Sequence, residues 1–239
     1  KELVYENGKT LFLIDKEDKS LNFFLFRISK APKIHLTTYN ASTFVEKQKS
    51  VLVFPENKKK KFKYSFLKIG ELEGELLLFV LAVNKREEVV KLLVQKLSKD
   101  GIQTGGFYEV DQLRRARSKG IFSRADDSSF DVIFSDDRKV CASVRTTSGL
   151  VNEKETIHLT IIDKELTKKY SGNLTMPLAR EYFNIESYHL TNDQDFLLLG
   201  KKWKTTVKKG LSGKTKTRIA RAKGQRPNYS YALVSFDTF

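Results

Sequence analysis

Residues Gly74–Val110 decide the fold class, and they read GELLLFVLAVNKREEVVKLLVQKLSKDGIQTGGFYEV. Glu75–Val83 is an almost continuous apolar run, short enough for a buried strand, and Val89–Leu97 follows it after a polar turn. A second turn lies at residues 99–101, where the glycine supplies the positive φ that a hairpin turn needs. Ile102–Val110 then returns as a strand. The stretch predicts an antiparallel meander with one strand buried on both faces.

The rest of the chain shows the same pattern of short strands separated by turn residues. The 239 residues are 40% hydrophobic, and 17 Phe and 9 Tyr against a single Met and a single Trp favour strands over helices. Gln112–Lys119 is the best helix candidate, although it is short and lacks an apolar stripe. The predicted fold class is therefore all-β.

A repeated strand recurs along the chain, with starts about 60 to 75 residues apart. Each copy is a strand that ends on a polar turn residue, and the copies are Ile34–Asn40, Leu92–Ser98, Ile157–Asp163 and Tyr231–Asp237. Apolar runs precede most of them, at Leu76–Val83, Val140–Thr146 and Phe196–Gly200. This periodicity predicts several antiparallel sheets of similar construction, each with a buried inner strand.

Three further stretches carry a resemblance to a known group of proteins. They are Phe122–Phe134 (FSRADDSSFDVIF), Tyr188–Lys201 (YHLTNDQDFLLLGK) and Pro227–Tyr231 (PNYSY). Together with the turns of the repeat, they resemble long-bladed, largely uncharacterised β-propellers among exported proteins of the bacterial cell envelope. The WD and kelch signatures are missing, so the better-defined propeller families are not indicated.

The resemblance implies a propeller-like array of antiparallel four-stranded blades, and a β-sandwich is the alternative. We expect residues 1–239 to form a single propeller-like β domain. Because the repeat spacing provides only about four blades and ends on a half-built one, we also expect the chain to be part of a longer protein. An open blade would expose strand edges that pair with a partner.

The first residue and the cysteine content bear on the compartment. The chain holds no apolar run of about 18 residues, so no transmembrane segment is predicted. Because it starts at Lys1 rather than at a methionine, a removed export signal is expected. We therefore predict a periplasmic or envelope-associated protein, with the cytoplasm left open. Cys141 is the single cysteine, which excludes an internal disulfide, and its apolar surroundings predict a core residue.

Positive charge is concentrated in one segment, Lys201–Arg226, which is predicted to be a basic inserted loop. It holds 11 basic residues and no acidic one, which leaves only +4 of the net charge of +15 to the rest of the chain. Such a segment is predicted to contact an acidic partner, either a protein or a lipid surface, or to remain a solvated loop. The candidate contacts are Lys201, Lys202, Trp203, Lys204, Lys208, Lys209, Lys214, Lys216, Arg218, Arg221, Lys223 and Arg226.

Residues that would carry catalysis or bind a metal do not form a recognisable pattern. His35, His158 and His189 lie far apart, and the aspartates between Asp126 and Asp137 lack the glycine of a calcium loop. Ser212-Gly213-Lys214-Thr215 resembles the end of a phosphate-binding loop but has the wrong glycine spacing. We predict no catalytic residues, no metal and no cofactor.

The function predicted from the sequence is that of a non-catalytic protein-interaction scaffold or accessory subunit of a cell-envelope assembly. A protein partner is expected, and the sequence leaves the oligomeric state open. The alternative is a nucleic-acid-binding module that uses residues 201–226, in which lysine and arginine would neutralise phosphates and Trp203 would stack on a base. A hydrolase built around the aspartate-rich turns is a third reading.

Overall fold

The structure, a computed structural model, describes residues 2–5, 9–14, 22–28, 34–40, 45–55, 62–84, 86–98, 101–114, 130–147, 154–209, 215–220 and 227–238. Within these ranges the chain forms 18 strands and one 3-10 helix, Arg180–Tyr182, but no α-helix. The prediction of an all-β protein is therefore confirmed for the described part of the chain.

The strands run as follows: β1 Glu2–Tyr5, β2 Lys9–Ile14, β3 Asn22–Ile28, β4 Ile34–Asn40, β5 Glu46–Leu52, β6 Lys63–Leu72, β7 Glu75–Asn84, β8 Val89–Leu97, β9 Gln103–Arg114, β10 Phe130–Phe134, β11 Val140–Thr147, β12 Lys154–Asp163, β13 Lys168–Ala179, β14 Phe183–Leu190, β15 Phe196–Trp203, β16 Thr205–Lys209, β17 Thr215–Ile219 and β18 Tyr229–Phe236.

These strands form four antiparallel sheets and one separate hairpin. The sheet orders are β1-β2-β3-β4-β5, β6-β7-β8-β9, β10-β11-β12-β13 and β14-β15-β18, and β16 pairs with β17. Within each sheet, strands that are neighbours in sequence pair with each other, except that β15 pairs with β18 across the hairpin. Repeated antiparallel sheets are thus confirmed. The prediction of four strands in every sheet is not confirmed, because β1–β5 form a five-stranded sheet and β14, β15 and β18 form a three-stranded one.

Three of the four copies of the sequence repeat occupy one structural position. The copies fall in β4, β8, β12 and β18. Of these, β8, β12 and β18 are the third strand of their sheets, whereas β4 is the fourth strand of a five-stranded sheet. The preceding apolar runs form β7, β11 and β15, each of which is the second strand of its sheet. The alignment of the segments therefore identified equivalent strands in three sheets.

Backbone contacts divide the chain into two compact units, Lys1–Ser118 with Lys164–Leu166, and Lys119–Asp163 with Thr167–Phe239. In the first unit β7 is buried on both faces, because Leu76, Leu77, Leu78, Phe79 and Val80 are all buried. An uninterrupted apolar run suits a strand that neither face exposes to water. The core of this unit comprises Leu52, Ile69, Leu76, Leu78, Val80, Ala82, Leu93 and Leu97.

The second unit has a core of its own, formed by residues of β11, β12, β13, β14 and β15. Phe196 and Leu198 of β15 are fully buried, and Tyr188 of β14 stacks on Phe196 with ring centroids 5.6 Å apart. Cys141 is buried in β11, as its apolar neighbours predicted. The core residues are Val140, Ala142, Val144, Ile157, Leu159, Ile161, Leu174, Met176, Phe183, Leu190, Phe196 and Leu198.

The turn that was predicted before Ile102 has the expected glycine conformation. Gly101 has a φ of 80°, which side chains other than glycine rarely adopt. Its N–H donates to the Ser98 carbonyl oxygen over 2.9 Å, and the Ser98 N–H donates to the Ile102 carbonyl oxygen over 2.7 Å. These bonds close the chain between β8 and β9.

The helix prediction over Gln112–Lys119 is wrong for the part that the structure describes. Gln112, Leu113 and Arg114 end β9, where Val89 pairs with Arg114 and Val90 with Leu113. Strand pairing prevailed here because the segment lacks the apolar stripe that would bury one face of a helix. The rest of the segment lies outside the described residues.

Candidate partner-binding surface

The predicted basic loop contains regular secondary structure, which corrects the prediction. Lys201, Lys202 and Trp203 are the last residues of β15, so the described segment begins inside a sheet. Lys208 and Lys209 lie in β16, and Lys216 and Arg218 lie in β17. Lys204 links β15 to β16. Lys214, Arg221, Lys223 and Arg226 lie outside the described residues.

Lys204 joins the hairpin to the sheet through its backbone. Its N–H donates to the Asn228 carbonyl oxygen over 2.8 Å, and its carbonyl oxygen accepts from the Ala220 N–H over 2.7 Å. The Asn228 side chain adds a bond from Nδ2 to the Ala220 carbonyl oxygen, at 3.0 Å. Lys204 therefore continues the hydrogen-bond ladder between β15 and β18 and also the ladder between β16 and β17, so the hairpin extends from the end of β15.

The register between β15 and β18 brings together residues that are distant in sequence. Lys201 pairs with Tyr231, Trp203 with Tyr229, and Leu199 with Leu233. Directly opposed residues of an antiparallel pair share a face of the sheet. We call the six residues of these pairs the aromatic face; they are Leu199, Lys201, Trp203, Tyr229, Tyr231 and Leu233.

The aromatic rings of this face contact one another edge-on. Trp203 and Tyr229 have ring centroids 5.5 Å apart, and Tyr229 and Tyr231 have centroids 5.7 Å apart. The Lys201 ammonium lies 5.4 Å from the centre of the Tyr229 ring and 5.9 Å from that of Tyr231. Edge-to-face pairs and a cation over a ring are both favourable geometries. The arrangement fixes the rings relative to the sheet.

Lys201 is engaged within the protein. Its Nζ lies 3.1 Å from Glu186 Oε1, and the hydrogen bond to Glu186, followed by the charge of that carboxylate, raises the pKa of Lys201. The lysine was predicted to contact an acidic partner. In the structure Lys201 supports the tyrosine rings instead. Lys202 and Lys204 are exposed, so they are better placed than Lys201 to contact an acidic partner.

Several apolar side chains of the aromatic face meet solvent. Leu233 is 65% exposed, Tyr231 60% and Leu199 38%. The alternate residues of the same strands turn to the other side, where Leu198 is buried and Val234 packs against the core. One side of this sheet is therefore an internal surface, and the other presents apolar groups to water. Exposed apolar groups with a polar rim mark interaction sites.

The hairpin also presents apolar groups. Val207 of β16 is 66% exposed and Ile219 of β17 is 43% exposed. The register pairs Thr205 with Ile219 and Val207 with Thr217. Val207 and Ile219 therefore belong to the same set of alternate positions, which share one face of a two-stranded ribbon.

Of the predicted aspartate cluster, Asp136 and Asp137 lie in the turn after β10, whereas Asp131 lies within β10. Asp137 accepts hydrogen bonds from the Ser135 hydroxyl over 2.7 Å and the Lys139 N–H over 3.1 Å. Partial burial opposes ionisation, but these bonds and the charge of Lys139 outweigh it and lower the pKa of Asp137. Asp126 and Asp127 lie outside the described residues. Among those described, no three His, Cys, Asp or Glu side chains form a group that could hold a metal.

Two of the three histidines, His158 and His189, contact a neighbouring polar side chain. His158 Nδ1 lies 2.8 Å from Asn173 Oδ1 on the neighbouring strand, and His189 Nε2 lies 3.6 Å from Asp136 Oδ2. His35 lies in β4, the counterpart of β12, which carries His158. These positions agree with a recurring feature of the repeat strand.

The first unit contains a groove of about 560 Å³ between the end of β5 and the edge strand β9. Gln103 pairs with the backbone of Val53, donating to its carbonyl oxygen over 2.9 Å and accepting from its N–H over 2.5 Å. Gln103 also donates to Gln95, whose own amide donates to the Gly105 carbonyl oxygen over 2.7 Å. The amides are thus used to join two strands, which indicates a structural joint rather than a catalytic centre.

Sequence reasoning missed Tyr229, Tyr231 and Leu233. Aromatic residues were not interleaved within the basic segment itself, and the structure supplies them from β18 instead. The alternation in Tyr229-Ser230-Tyr231-Ala232-Leu233 was the available signal, since it places both tyrosines and the leucine on one face of a strand.

No described helix is long and apolar enough to cross a membrane.

Comparison with known proteins yields little similarity. No protein-family model matches the chain, and no curated protein matches it significantly. Among solved structures, an endo-arabinase from Bacteroides thetaiotaomicron VPI-5482 is similar, with a TM-score of 0.42 and 12% identity over 95% of this chain and 93% of that chain. We infer neither fold nor activity from a similarity of this size.

Proposed function

We propose that the chain is a non-catalytic protein-interaction module, which acts as a scaffold or accessory subunit of a cell-envelope assembly. The observation that carries the proposal is the exposure of Leu199, Tyr231 and Leu233 on one side of the sheet β14-β15-β18. Each is an apolar side chain fixed on a strand, and burying apolar surface is the main driving force for protein association.

The composition of the aromatic face fits a protein contact. Tyrosine and tryptophan are enriched among the residues that contribute most to binding, because they offer a large rigid surface with a polar group. Trp203, Tyr229 and Tyr231 are already held in place by one another and by Lys201. Less conformational entropy is therefore lost when a partner covers them.

The edge strand supports the same proposal. In the described part of the chain β18 pairs with β15 alone, and its sheet has three strands where two others have four. An exposed strand edge is a template for an extended segment of a partner. Lys202 and Lys204 are exposed beside it, so a partner with acidic residues is favoured by charge.

A propeller arrangement of the sheets and location in the periplasm or envelope are parts of the proposal. Support comes from the repeat, three of whose four copies form the third strand of consecutive antiparallel sheets. Propeller blades are antiparallel sheets of about four strands.

The proposal is tested by purifying the tagged chain from native cells after nuclease treatment and gentle cross-linking. A double variant, Tyr231→Ser with Leu233→Ser, is compared with the unchanged chain. We expect the variant to recover at least about tenfold less of a stoichiometric protein partner, because it removes two apolar side chains from the contact. The matched control, Ser230→Ala on the alternate set of β18, should recover the partner fully.

Two outcomes would overturn the proposal. One is equal recovery of the same proteins by the double variant and the unchanged chain. The other is recovery of proteins only when nuclease treatment is omitted, which would show that nucleic acid connected them to the chain.

A nucleic-acid-binding module is the second candidate, and one observation favours it. Lys201 lies over two tyrosine rings, and Tyr231 is well exposed, which is the chemistry of a stacking platform for bases. This candidate predicts binding of single-stranded DNA that falls steeply between about 50 and about 200 mM salt. It also predicts loss of binding in Tyr231→Ser, measured by fluorescence anisotropy. Absence of binding at the lower salt concentration excludes it.

A further inference from the structure

We infer that the hairpin β16–β17 docks on an anionic lipid surface. The inference concerns a different ligand from the protein partner proposed above and does not depend on it. Its basis is the combination of exposed Val207 and Ile219 with a high density of basic residues in the same two strands. An exposed apolar group beside positive charge is the chemistry that the headgroup region of an anionic membrane accepts.

The register places most of the basic positions apart from the apolar ones. Val207 and Ile219 share one set of alternate positions with three threonines and Lys209. The other set pairs Thr206 with Arg218 and Lys208 with Lys216. The first set thus holds both aliphatic residues and one lysine, and three of the four basic residues of the two strands fall in the other. This division is the β-ribbon equivalent of an amphipathic helix that lies in a membrane interface.

Charge complementarity selects an anionic surface. Residues 201–226 contain no acidic residue, so nothing in the segment neutralises the basic side chains. Each lysine or arginine near an anionic membrane strengthens binding by about fivefold. Long basic side chains can also reach headgroups while their aliphatic parts remain in the apolar layer.

The chemistry of the hairpin favours lipid over the other anionic partners. Proteins that bind single-stranded nucleic acid stack the bases on aromatic rings, and the described strands of the hairpin contain none. Aliphatic β-branched side chains such as Val207 and Ile219 gain most from an apolar medium. Trp203 and Tyr229 lie at the base of the hairpin, and such residues are enriched where membrane meets water.

The attachment of the hairpin makes docking possible without unfolding. The backbone of Lys204 bonds to Asn228 and Ala220, which links the hairpin ladder to that of β15 and β18. The ribbon keeps its inter-strand ladder when it docks, and its outward-facing backbone groups can bond to water in the headgroup layer.

The test uses the single tryptophan of the chain as a reporter. Trp203 lies directly before the hairpin, so its emission should shift to shorter wavelength when the hairpin enters the interface. The chain is titrated with vesicles of phosphatidylcholine alone and with vesicles that contain about 30% phosphatidylglycerol. We expect a shift and co-sedimentation with the anionic vesicles, at least about tenfold weaker binding to the neutral ones, and weakening as salt rises.

Two variants separate the apolar and basic contributions. Val207→Ser with Ile219→Ser should weaken binding to anionic vesicles by about tenfold or more, since two buried aliphatic groups are lost. Lys208→Gln with Arg218→Gln should weaken it by about twentyfold or more. Val45→Ser, which removes a valine that is 63% exposed in the first unit, should bind vesicles as the unchanged chain does. Circular dichroism checks that each variant keeps its strand content.

Three results would overturn the inference. The first is no binding to anionic vesicles at low salt. The second is binding that Val207→Ser with Ile219→Ser leaves unchanged, because charge alone would then account for it. The third is release of the chain from anionic vesicles by single-stranded DNA or poly-glutamate at an equal concentration of negative charge, because any polyanion would then bind as well as lipid.

Discussion

Gly200 occupies a crowded position in β15, directly before Lys201 in the chain. A Cβ at this position would collide with the Phe183 ring and lie 2.6 Å from the Asn184 carbonyl oxygen. The ring could move, but the backbone carbonyl is held by the ladder between β14 and β15. A glycine is needed here because Phe183 and the Asn184 carbonyl oxygen lie too close for a side chain, and not because the backbone adopts a positive φ.

We therefore expect Gly200→Ala to lower the free energy of unfolding by about 1 to 3 kcal/mol, as overpacked sites do. Chemical denaturation followed by circular dichroism measures it. The matched control is Gly106→Ala in β9, where a Cβ would meet nothing within 4 Å and little change is expected. Equal midpoints for Gly200→Ala and the unchanged chain would contradict the close contact.

Tyr188 gives a prediction about alkaline pH. Burial of its ring, helped by the carboxylates of Glu155 and Asp131, raises the pKa of Tyr188 from 10.0 to about 12. Above pH 10 the unfolded chain loses this proton while the folded chain keeps it. Stability contributed by the neutral hydroxyl is therefore complete below pH 10 and is lost as the pH rises towards 12.

Tyr188→Phe should remove this part of the alkaline loss, because phenylalanine keeps the ring and has no proton to release. Between pH 9 and pH 11 we expect the unchanged chain to lose about 1 kcal/mol more than the variant, after allowance for the part of the ring that meets solvent. Urea denaturation at both pH values measures the difference. Parallel losses in the two proteins would show that Tyr188 titrates normally.

At the scale of single residues the sequence identified charges better than contacts. Lys201 was recognised as basic, but its bond to Glu186 and its place over two tyrosine rings depend on strand pairing. Tyr231 was seen only as part of a repeat strand. Its exposure follows from facing away from the core of the second unit, which no local pattern reveals.

Among the elements, the hairpin was mistaken for a loop, although its signals were present. Thr205-Thr206-Val207 and Thr215 with Thr217 and Ile219 are rich in β-branched residues, which favour strands, and they flank the glycines at 210 and 213. The density of lysine obscured this alternation. In an antiparallel ribbon lysine is readily accommodated, because one face remains in water.

The stem of the hairpin gives a prediction at this scale. Asn228 Nδ2 donates to the Ala220 carbonyl oxygen, next to the backbone bonds of Lys204. Asn228→Ala removes one hydrogen bond, worth about 1 kcal/mol, from the root of the hairpin. We expect the Ala220 amide to exchange with solvent about fivefold faster, as measured by hydrogen exchange.

The control for this prediction lies in the core of the same unit. The amides of β12 should exchange at unchanged rates in Asn228→Ala, because the bond is local. If Ala220 exchanges as before, the side-chain bond does not stabilise the stem. If every amide of the unit is affected alike, the residue supports global folding instead.

For the whole molecule, local pattern was enough to identify the strands and their repeat. The meander β7-β8-β9 followed from apolar runs and turn residues, and its pairings join neighbours in sequence. The pairing of β15 with β18 passes over the whole basic segment, and the strand count of each sheet depends on such pairings. These non-local contacts carry no signal in any short stretch, so the alternation within β18 was predictable but its pairing with Lys201 and Trp203 was not.

The central claim is that the aromatic face contacts a protein partner, and site-specific photo-cross-linking in native cells tests it most directly. A photoreactive amino acid replaces Leu233, which is 65% exposed on this face, and in a second chain replaces exposed Ser230 on the alternate set. We predict one dominant protein adduct from position 233 that survives nuclease treatment, and little or none from position 230. No protein adduct from 233, or equal adducts from both positions, would contradict the account.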